Sequence, residues 1–246
     1  MSRTLIAAVL VAIIAYLATT TVGLAQEVTL SFADSEGLAT RSIQLLVLIT
    51  LLSIVPGLAM MVTCFPFMVT VLSILRQGIG LQQSPPNMLI VSLALFLTYF
   101  VMEPVFTEAW STGVRPMLDG TIEIEQAFNL AIAPFREFMA SRVAPDTFEA
   151  LSALRPSTVV EPDTVDNPLS LLVPSFLLSE IERAFQIGFL IFLPFLVIDL
   201  VVAAVLMSMG MMMVPPAIVA LPFKLAFFVV ADGWSMIATS LVGSYF

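Results

Sequence analysis

The chain has 246 residues, of which 59% are hydrophobic and only 11% charged, and its mean hydropathy is +1.06. Such a composition is typical of membrane proteins and excludes an ordinary soluble domain. The sequence contains no histidine and a single cysteine, which excludes a His/Cys metal cluster, a disulfide framework and a histidine general base. The formal net charge of −9 gives no basis for binding nucleic acid or anionic lipid.

Residues 1–25 have the features of a cleavable signal peptide. Arg3 supplies the positive n-region, residues 5–17 form an apolar h-region, and Gly23-Leu24-Ala25 supplies small residues before the cut. The mature chain then begins at Gln26. An uncleaved signal-anchor helix is the alternative, which the polar residues that follow the h-region disfavour.

Four further apolar stretches follow, and each is interrupted by proline or charge. They cover residues 43–65, 87–102, 185–209 and 214–230. The interruptions are Pro56, Glu103 with Pro104, Pro194 with Asp199, and Pro222 with Lys224. A spanning helix needs about 20 apolar residues, and charged or broken backbone survives at membrane depth only beside protein or a water-filled cavity. We therefore expect these helices to bury against protein neighbours, including other subunits.

Residues 105–182, between the two pairs of apolar stretches, are predicted to be extracytoplasmic and helical. Cleavage of the signal places residue 26 outside, so that Arg76 lies in the short cytoplasmic loop. The helix signals are acids at Glu123 and Glu125, a capping box from Asp146 to Glu149 opening a helix to Leu154, and Asn167 as the cap before Pro168. Strand signals are sparse, so the whole chain is predicted to be all-α.

This pattern predicts four regions in the chain. They are a signal peptide at 1–25, an N-terminal region with the first apolar helical hairpin at 26–104, the extracytoplasmic helical segment at 105–182, and a second apolar hairpin with its tail at 183–246.

Asp199 and Lys224 are the only charges deep inside the last two apolar stretches. They lie 12 positions before Met211 and 12 positions after Met212, so an antiparallel hairpin that turns there brings them level. At about 1.5 Å per residue, both would lie roughly 18 Å from the tip. Intramembrane charges are costly unless they are paired or hydrated, so a mutual ion pair is the preferred interpretation. A proton-coupling carboxylate is the alternative.

Five of the fourteen methionines fall within residues 207–213, around Gly210 and just before Pro215-Pro216. Methionine is unbranched and polarisable, so a cluster of it makes a deformable apolar surface, and glycine and proline bend the backbone at the same place. From chemistry alone, a flexible apolar turn in a packed core is slightly favoured. The alternative is a constriction lined by methionine and repeated around a symmetric assembly.

Glu180, Glu182 and Arg183 form the polar entry to the third apolar stretch. Glu180 and Arg183 are candidate contacts with a neighbouring subunit, although an interfacial helix end in water is the simpler and preferred interpretation. Cys64 lies without a partner in an apolar run and is expected to be inert. No catalytic residue and no metal ligand is predicted.

Beyond these features, a series of ordered motifs runs along the chain. The motifs are Leu75-Arg76, Ser84-Pro85-Pro86-Asn87, Leu93-Ala94-Leu95-Phe96-Leu97-Thr98, Arg136-Glu137-Phe138-Met139, Ala184-Phe185-Gln186-Ile187-Gly188-Phe189, residues 194–201 and 205–216, Leu221-Pro222-Phe223-Lys224-Leu225 and Asp232-Gly233-Trp234. Together these motifs resemble the FliP family of flagellar biosynthetic proteins, and the resemblance covers nearly the whole mature chain. One segment departs from the family pattern: Thr63-Cys64-Phe65-Pro66-Phe67-Met68 stands where family members often have Thr-Ser-Phe-Thr-Arg-Ile, so subunit contacts made there are not carried over.

The resemblance implies a non-enzymatic core subunit of the flagellar type III protein export gate, with no cofactor, passing unfolded flagellar proteins. It implies that copies of the chain assemble with FliQ-like and FliR-like subunits into a helical pore in the bacterial inner membrane, at the flagellar basal body. In the family the methionine loop is a gasket that closes the pore. This role carries over to Met207, Met209, Met211, Met212 and Met213, with Gly210, Pro215 and Pro216 forming the hairpin turn.

With the resemblance, the constriction becomes the preferred interpretation of the methionine run. Three alternatives stay open at this point. They are the homologous subunit of a virulence-type injectisome, an ion-coupled membrane transporter using Asp199 and Lys224, and a structural adaptor that only nucleates the rod.

Overall fold

The computed structural model describes residues 35–81, 84–154, 167–211 and 213–246, with side chains from residue 41 onward. Every regular element in these ranges is helical, which confirms the all-α prediction. Residues 1–34, which include the predicted signal peptide, residues 82–83 and 155–166, and Met212 lie outside the described residues. Backbone contacts divide the chain into two units, Met1–Leu52 and Ser53–Phe246.

The helices follow one another along the chain in the order below. Their bounds are α1 Ser35–Met61, α2 Phe65–Ile79, α3 Asn87–Ala109, a π-helical turn Trp110–Val114, α4 Arg115–Leu118, α5 Ile124–Arg142, α6 Pro145–Ser152, α7 Leu169–Ser208, α8 Pro216–Val230 and α9 Gly233–Gly243.

Among the described residues, three helical stretches are long and apolar enough to cross a membrane, and the number is four if a bent pair of helices counts as one span. The three are Arg41–Met61 of α1, Asn87–Leu118 of α3 with its continuation, and Leu169–Ser208 of α7. The bent pair is α8 with α9, whose axes differ by 61°. In the first unit, the described side chains of α1 are all exposed. A helix of this composition needs lipid or protein around it.

The core of the second unit is built around α2, an apolar helix too short to reach spanning length. Its buried side chains recur at helical spacing and include Phe67, Val71 and Leu75. It packs most extensively against α7, and the axes approach closely at Gly188, where an added Cβ would lie 2.4 Å from Ile74 Cδ1. This crossing fixes where the two apolar hairpins meet.

The predicted first stretch, 43–65, is two helices rather than one. Helix α1 ends at Met61 and α2 begins at Phe65, with the buried Cys64 at its N-cap. Pro66 lies in the first turn of α2, a position where its missing N–H costs no intrahelical bond. The departure from the family pattern is therefore accommodated as a helix start.

The second stretch is longer than predicted. Helix α3 runs through Pro104 to Ala109 instead of ending before it, and both Glu103 and Pro104 are exposed. Proline removes one backbone hydrogen bond from a helix but does not end it when the neighbouring turns hold. Arg76, expected in the connecting loop, lies in the last turn of α2, where its guanidinium donates to Asn87 Oδ1 and to Pro85 O at 3.4 Å.

In the segment predicted to be extracytoplasmic, α5 begins as expected, with Glu123 at its N-cap and Glu125 in its first turn. The predicted capping box is wrong. Helix α6 begins at Pro145 and ends at Ser152, so Asp146 lies inside its first turn and makes no capping bond. The orphan backbone N–H of Ala144 instead donates to Ser179 Oγ at 2.9 Å, a partner on α7 that local sequence cannot indicate.

Helix α7 is a single helix of 40 residues. Its N-cap is Pro168, so the predicted cap at Asn167 is wrong by one position, and the carbonyl of Asn167 accepts a bond from Arg136 Nη1 at 2.9 Å. The helix passes without interruption through residues 182 and 183, where the sequence pattern placed a boundary between regions. One element therefore reaches from the segment after α6 to the methionine run.

Candidate functional site: the methionine loop and its base

The methionine loop, residues 209–215, joins α7 to α8 through a Schellman turn. Met209 is the C-cap of α7, and Gly210 adopts the left-handed conformation with φ 75°. The N–H of Gly210 donates to Met207 O at 3.1 Å and the N–H of Met211 donates to Leu206 O at 3.0 Å. These two bonds satisfy carbonyls that would otherwise be orphaned at the helix end. Glycine is needed here because any other residue is strained at this φ.

The loop ends at the double proline. The N–H of Val214 donates to Met211 O at 3.4 Å, which closes a turn within the loop. Pro215 is the N-cap of α8 and Pro216 is its first residue, a position at which proline fits a helix. The chain thus reverses between two well-formed helix ends, so the loop is defined by its caps.

The described methionine side chains in the loop, and Met207 just before it, are exposed. Met207, Met209 and Met211 are exposed, and Met213 is 98% exposed. Met212 lies outside the described residues. The interpretation of this run as a turn in a packed core requires the opposite, because core side chains are shielded from solvent. A deformable apolar surface is therefore presented at the hairpin tip.

Below the loop, the structure brings Asp199 of α7 and Lys224 of α8 together. Lys224 Nζ lies 2.6 Å from Asp199 Oδ2, and the side chains are 7% and 34% exposed. Lys224 Nζ also donates to Gly78 O, near the end of α2, at 3.1 Å. The second carboxylate oxygen, Asp199 Oδ1, is buried without a hydrogen-bond partner among the described residues. Lys224 thus has a second hydrogen-bond acceptor besides Asp199, whereas one carboxylate oxygen of Asp199 has no donor among the described residues.

Glu180, interpreted from the sequence as a helix end in water, is wholly buried in the middle of α7. Its Oε1 accepts a bond from Arg142 Nε at 3.1 Å and lies 3.7 Å from Arg183 Nη1, and its Oε2 accepts a bond from the Tyr245 hydroxyl. The preferred interpretation from the sequence is therefore wrong for Glu180. A buried carboxylate needs such partners, because an unpaired charge in an apolar interior is costly.

Arg142 and Tyr245 are the residues of this cluster that sequence reasoning missed. Arg142 lies over the Tyr245 ring, with 4.0 Å from its guanidinium carbon to the ring centroid, and its Nη1 donates to Ser244 O at 2.9 Å. The Tyr245 ring also packs against Phe67 and Phe138. Burial raises the pKa of the Tyr245 phenol, and the neighbouring Glu180 carboxylate raises it further. The cluster joins the end of α5, the middle of α7 and the segment after α9.

Cys64 is buried between α1 and α2, outside the apolar spans, where burial raises the pKa of its thiol to about 12. A thiol of this kind is neutral at physiological pH and a poor nucleophile. Within the part of the chain that the structure describes, no group of three or more Cys, Asp or Glu side chains is placed to hold a metal ion.

A model of the FliP family matches residues 48–241. The chain is 49% identical over 219 residues to the flagellar biosynthetic protein FliP of Caulobacter vibrioides, which covers 89% of this chain and 82% of that relative. It is 48% identical over 201 residues to the flagellar biosynthetic protein FliP of Agrobacterium fabrum, covering 80% and 81%. It is 42% identical over 216 residues to that of Bacillus subtilis, covering 87% and 96%. With more than half of its length inside the family model and relatives of this similarity along most of both chains, the chain belongs to the FliP family.

Proposed function

We propose that this chain is a core pore-forming subunit of the flagellar type III protein export gate, passing unfolded flagellar proteins across the inner membrane during flagellum assembly. The relatives' shared description as flagellar biosynthetic proteins supports a role in building the flagellum. The apolar helices support a multi-pass location in the bacterial inner membrane, at the basal body. The observation that carries the pore role is the exposed methionine loop at the tip of the α7–α8 hairpin.

The loop is a gasket in this proposal. Each copy contributes Met209, Met211 and Met213, with Met207 and Met212 beside them, to one closed ring. Unbranched thioether side chains re-pack around irregular partners at low cost, so the same ring closes on itself at rest and around an extended polypeptide during export. The helix caps fix the backbone on both sides of the loop, while its methionine side chains remain free to re-pack. This combination suits both the closed ring at rest and the ring around a polypeptide.

The partners of the chain are further copies of itself, FliQ-like and FliR-like gate subunits, and the exported flagellar polypeptides. The unburied apolar helix α1 supports packing against such neighbours or lipid. The subunit acts by forming a passage and bears no catalytic group in this proposal. Arg183, whose side chain is partly exposed, is the candidate for polar contacts with a neighbouring subunit, because Glu180 is already paired inside its own chain.

The test replaces Met209, Met211 and Met213 together with alanine in the assembled complex and measures ion permeability of vesicles at rest. We expect leakage, because truncation opens the ring without changing its backbone caps. The matched control is Met88→Ala, an exposed methionine at the start of α3 that is not part of the loop. Unchanged permeability of the loop variant, with assembly intact, would overturn the gasket.

Measurements of assembly, flux and export distinguish the remaining functional classes from the gate. An adaptor that only nucleates the rod loses assembly without leaking, and an ion-coupled transporter shows substrate-dependent flux with this chain alone. Export of flagellar protein, measured in cells that carry the loop variant, distinguishes a flagellar gate from an injectisome gate.

A further inference from the structure

The ammonium group of Lys224 makes a second contact that the ion pair with Asp199 does not explain. Lys224 Nζ donates to the backbone carbonyl of Gly78 at 3.1 Å, in the last turn of α2. Helix α2 ends one residue later, where Gly80 adopts φ 87° and its N–H donates to Gln77 O at 3.0 Å. A Cβ added to Gly80 would lie 3.9 Å from Lys224 Nζ, so the ammonium sits directly at this helix end.

Physical chemistry gives this contact a specific role. The last carbonyls of a helix have no intrahelical donor and carry the negative end of the helix dipole. A lysine near a helix C-terminus satisfies such a carbonyl and is favoured by the dipole. Lys224 is nearly buried, so it makes this contact where little water competes. Lys224 therefore caps α2, while Asp199 balances its charge.

The contact lies at a change in packing along the α7–α8 hairpin. On the side away from the loop, Phe195 is buried in the core and Gly188 packs tightly on Ile74 of α2. On the side of the loop, the described residues between 200 and 223 contribute no side chain to this core. The exposed long apolar side chains there are Leu200, Val201, Val205 and Met207 on α7, and Ile218 and Phe223 on α8.

The distance to the methionines is short. Met209 follows Asp199 by ten positions, and Lys224 follows Pro216 by eight. At 1.5 Å per residue these arms are roughly 15 Å and 12 Å long. If Lys224 fixes the base of the hairpin, it sets the position of the loop, because the arms between the base and the loop lie outside the core.

We infer that Lys224 is a positioning residue for the gate: by capping α2 it fixes the base of the α7–α8 hairpin, so that opening moves only the arms and the methionine loop. This inference rests on the proposed function of the loop. In a simple ion pair the essential partner of Lys224 would be Asp199, whereas here it is the Gly78 carbonyl. The hinge about which the arms move then lies at Asp199 and Lys224.

The first test uses two variants that both remove the ion pair, only one of which removes the cap. Asp199→Asn leaves the ammonium on Gly78, whereas Asp199→Asn with Lys224→Met leaves no donor. Hydrogen exchange of the Gly80 amide, which is bonded to Gln77 O, reports fraying of the last turn of α2. We expect exchange about tenfold faster in the double variant, the change for losing a hydrogen bond from a charged donor, and no change in the single variant.

Lys224→Arg keeps a cationic donor and is expected to retain slow exchange at Gly80. This variant keeps the test decisive if the double variant assembles poorly. Equal exchange in the double variant and the unchanged protein, or equal acceleration in both Asp199 variants, would overturn the cap.

The second test measures resting ion leakage through the assembled complex. We expect the double variant to leak, because the loop loses its fixed base. The matched control neutralises the exposed pair Arg115 and Asp119, which lies on α4 and in the turn after it, by Arg115→Gln with Asp119→Asn. Faster exchange without leakage would overturn the positioning role. If the methionine loop variant also fails to leak, the proposed function itself fails while the capping contact, read by exchange alone, still stands.

Discussion

The buried carboxylate of Glu180 gives the sharpest prediction about stability. Replacing Glu180 with leucine removes the acceptor of Arg142 Nε at 3.1 Å and of the Tyr245 hydroxyl. The Arg142 side chain is only 14% exposed, so its guanidinium is left largely buried without a carboxylate. It keeps the Ser244 carbonyl at 2.9 Å and the Tyr245 ring.

The magnitude follows from these contacts. Breaking a buried ion pair by removing one partner costs about 3–5 kcal/mol, since the other charge stays buried. Because Arg142 retains these contacts, we expect Glu180→Leu to lower the free energy of unfolding by an amount near the lower end of this range, about 3 kcal/mol. Removing both charges with Arg142→Met and Glu180→Leu leaves no unpaired charge, so the double variant should lose less, about 1 kcal/mol.

The assay is unfolding in mixed micelles by increasing sodium dodecyl sulfate, followed by tryptophan fluorescence from Trp110 and Trp234. The control is Asp119→Asn, which breaks the exposed pair with Arg115 and should change the free energy of unfolding by about 0.5 kcal/mol or less. The reasoning is refuted if Glu180→Leu costs no more than this control. It is also refuted if the double variant is as unstable as the single one.

Three further predictions concern single positions. Gly210→Ala should cost about 1 kcal/mol in the same unfolding assay because φ is 75°, whereas Gly243→Ala, with open space around it, should not. Gly188→Ala should cost about 1–3 kcal/mol through overpacking on α2, and Ile74→Val, which removes the Cδ1 atom 2.4 Å from the added Cβ, should recover part of the loss. Cys64, with its pKa raised to about 12, should resist iodoacetamide at pH 8 until the protein unfolds; rapid labelling of folded protein would show that the thiol is accessible and ionised.

The parts of the site that the sequence predicts are those set by local pattern. Gly210 followed by Pro215 and Pro216 indicates a reversal of the chain, and the structure has one, with helix caps at both ends. The register of Asp199 and Lys224 follows from counting residues along two antiparallel helices about that reversal. Both inferences need only positions within about 25 residues of each other, over which helix geometry is regular.

The environment of Glu180 is beyond such reasoning. Its partners Arg142 and Tyr245 are 38 and 65 positions away in the sequence, so only the packing of α5, α7 and the segment after α9 brings them together. The same holds for Gly78, which is 146 positions from Lys224. A charged residue in a mixed stretch looks solvated from sequence because its neighbours along the chain are polar, yet burial depends on neighbours in space.

Two of the predicted helix boundaries are wrong for a related reason. The capping box at Asp146 is a valid local signal, but Ser179 from α7 satisfies the Ala144 N–H first. Proline at position 104 is likewise a valid stop signal, yet α3 continues through it. At the start of α6 a tertiary contact outweighs a local preference worth about 1 kcal/mol. At Pro104 the helix continues with the loss of one backbone hydrogen bond, because the neighbouring turns hold.

In the proposed assembly, the distribution of charge would limit how copies of this chain recognise one another. Among the described residues, the buried charged groups are Glu180 and Lys224, and each is paired inside its own chain. The large exposed surfaces of α1, α7 and α8 are apolar. Within a membrane, apolar surfaces gain little from leaving lipid, so association there depends on close packing and shape. The specificity of the proposed assembly should therefore lie in the shapes of the packed helix surfaces, whereas the buried charges would stabilise the conformation of each subunit that its neighbours contact.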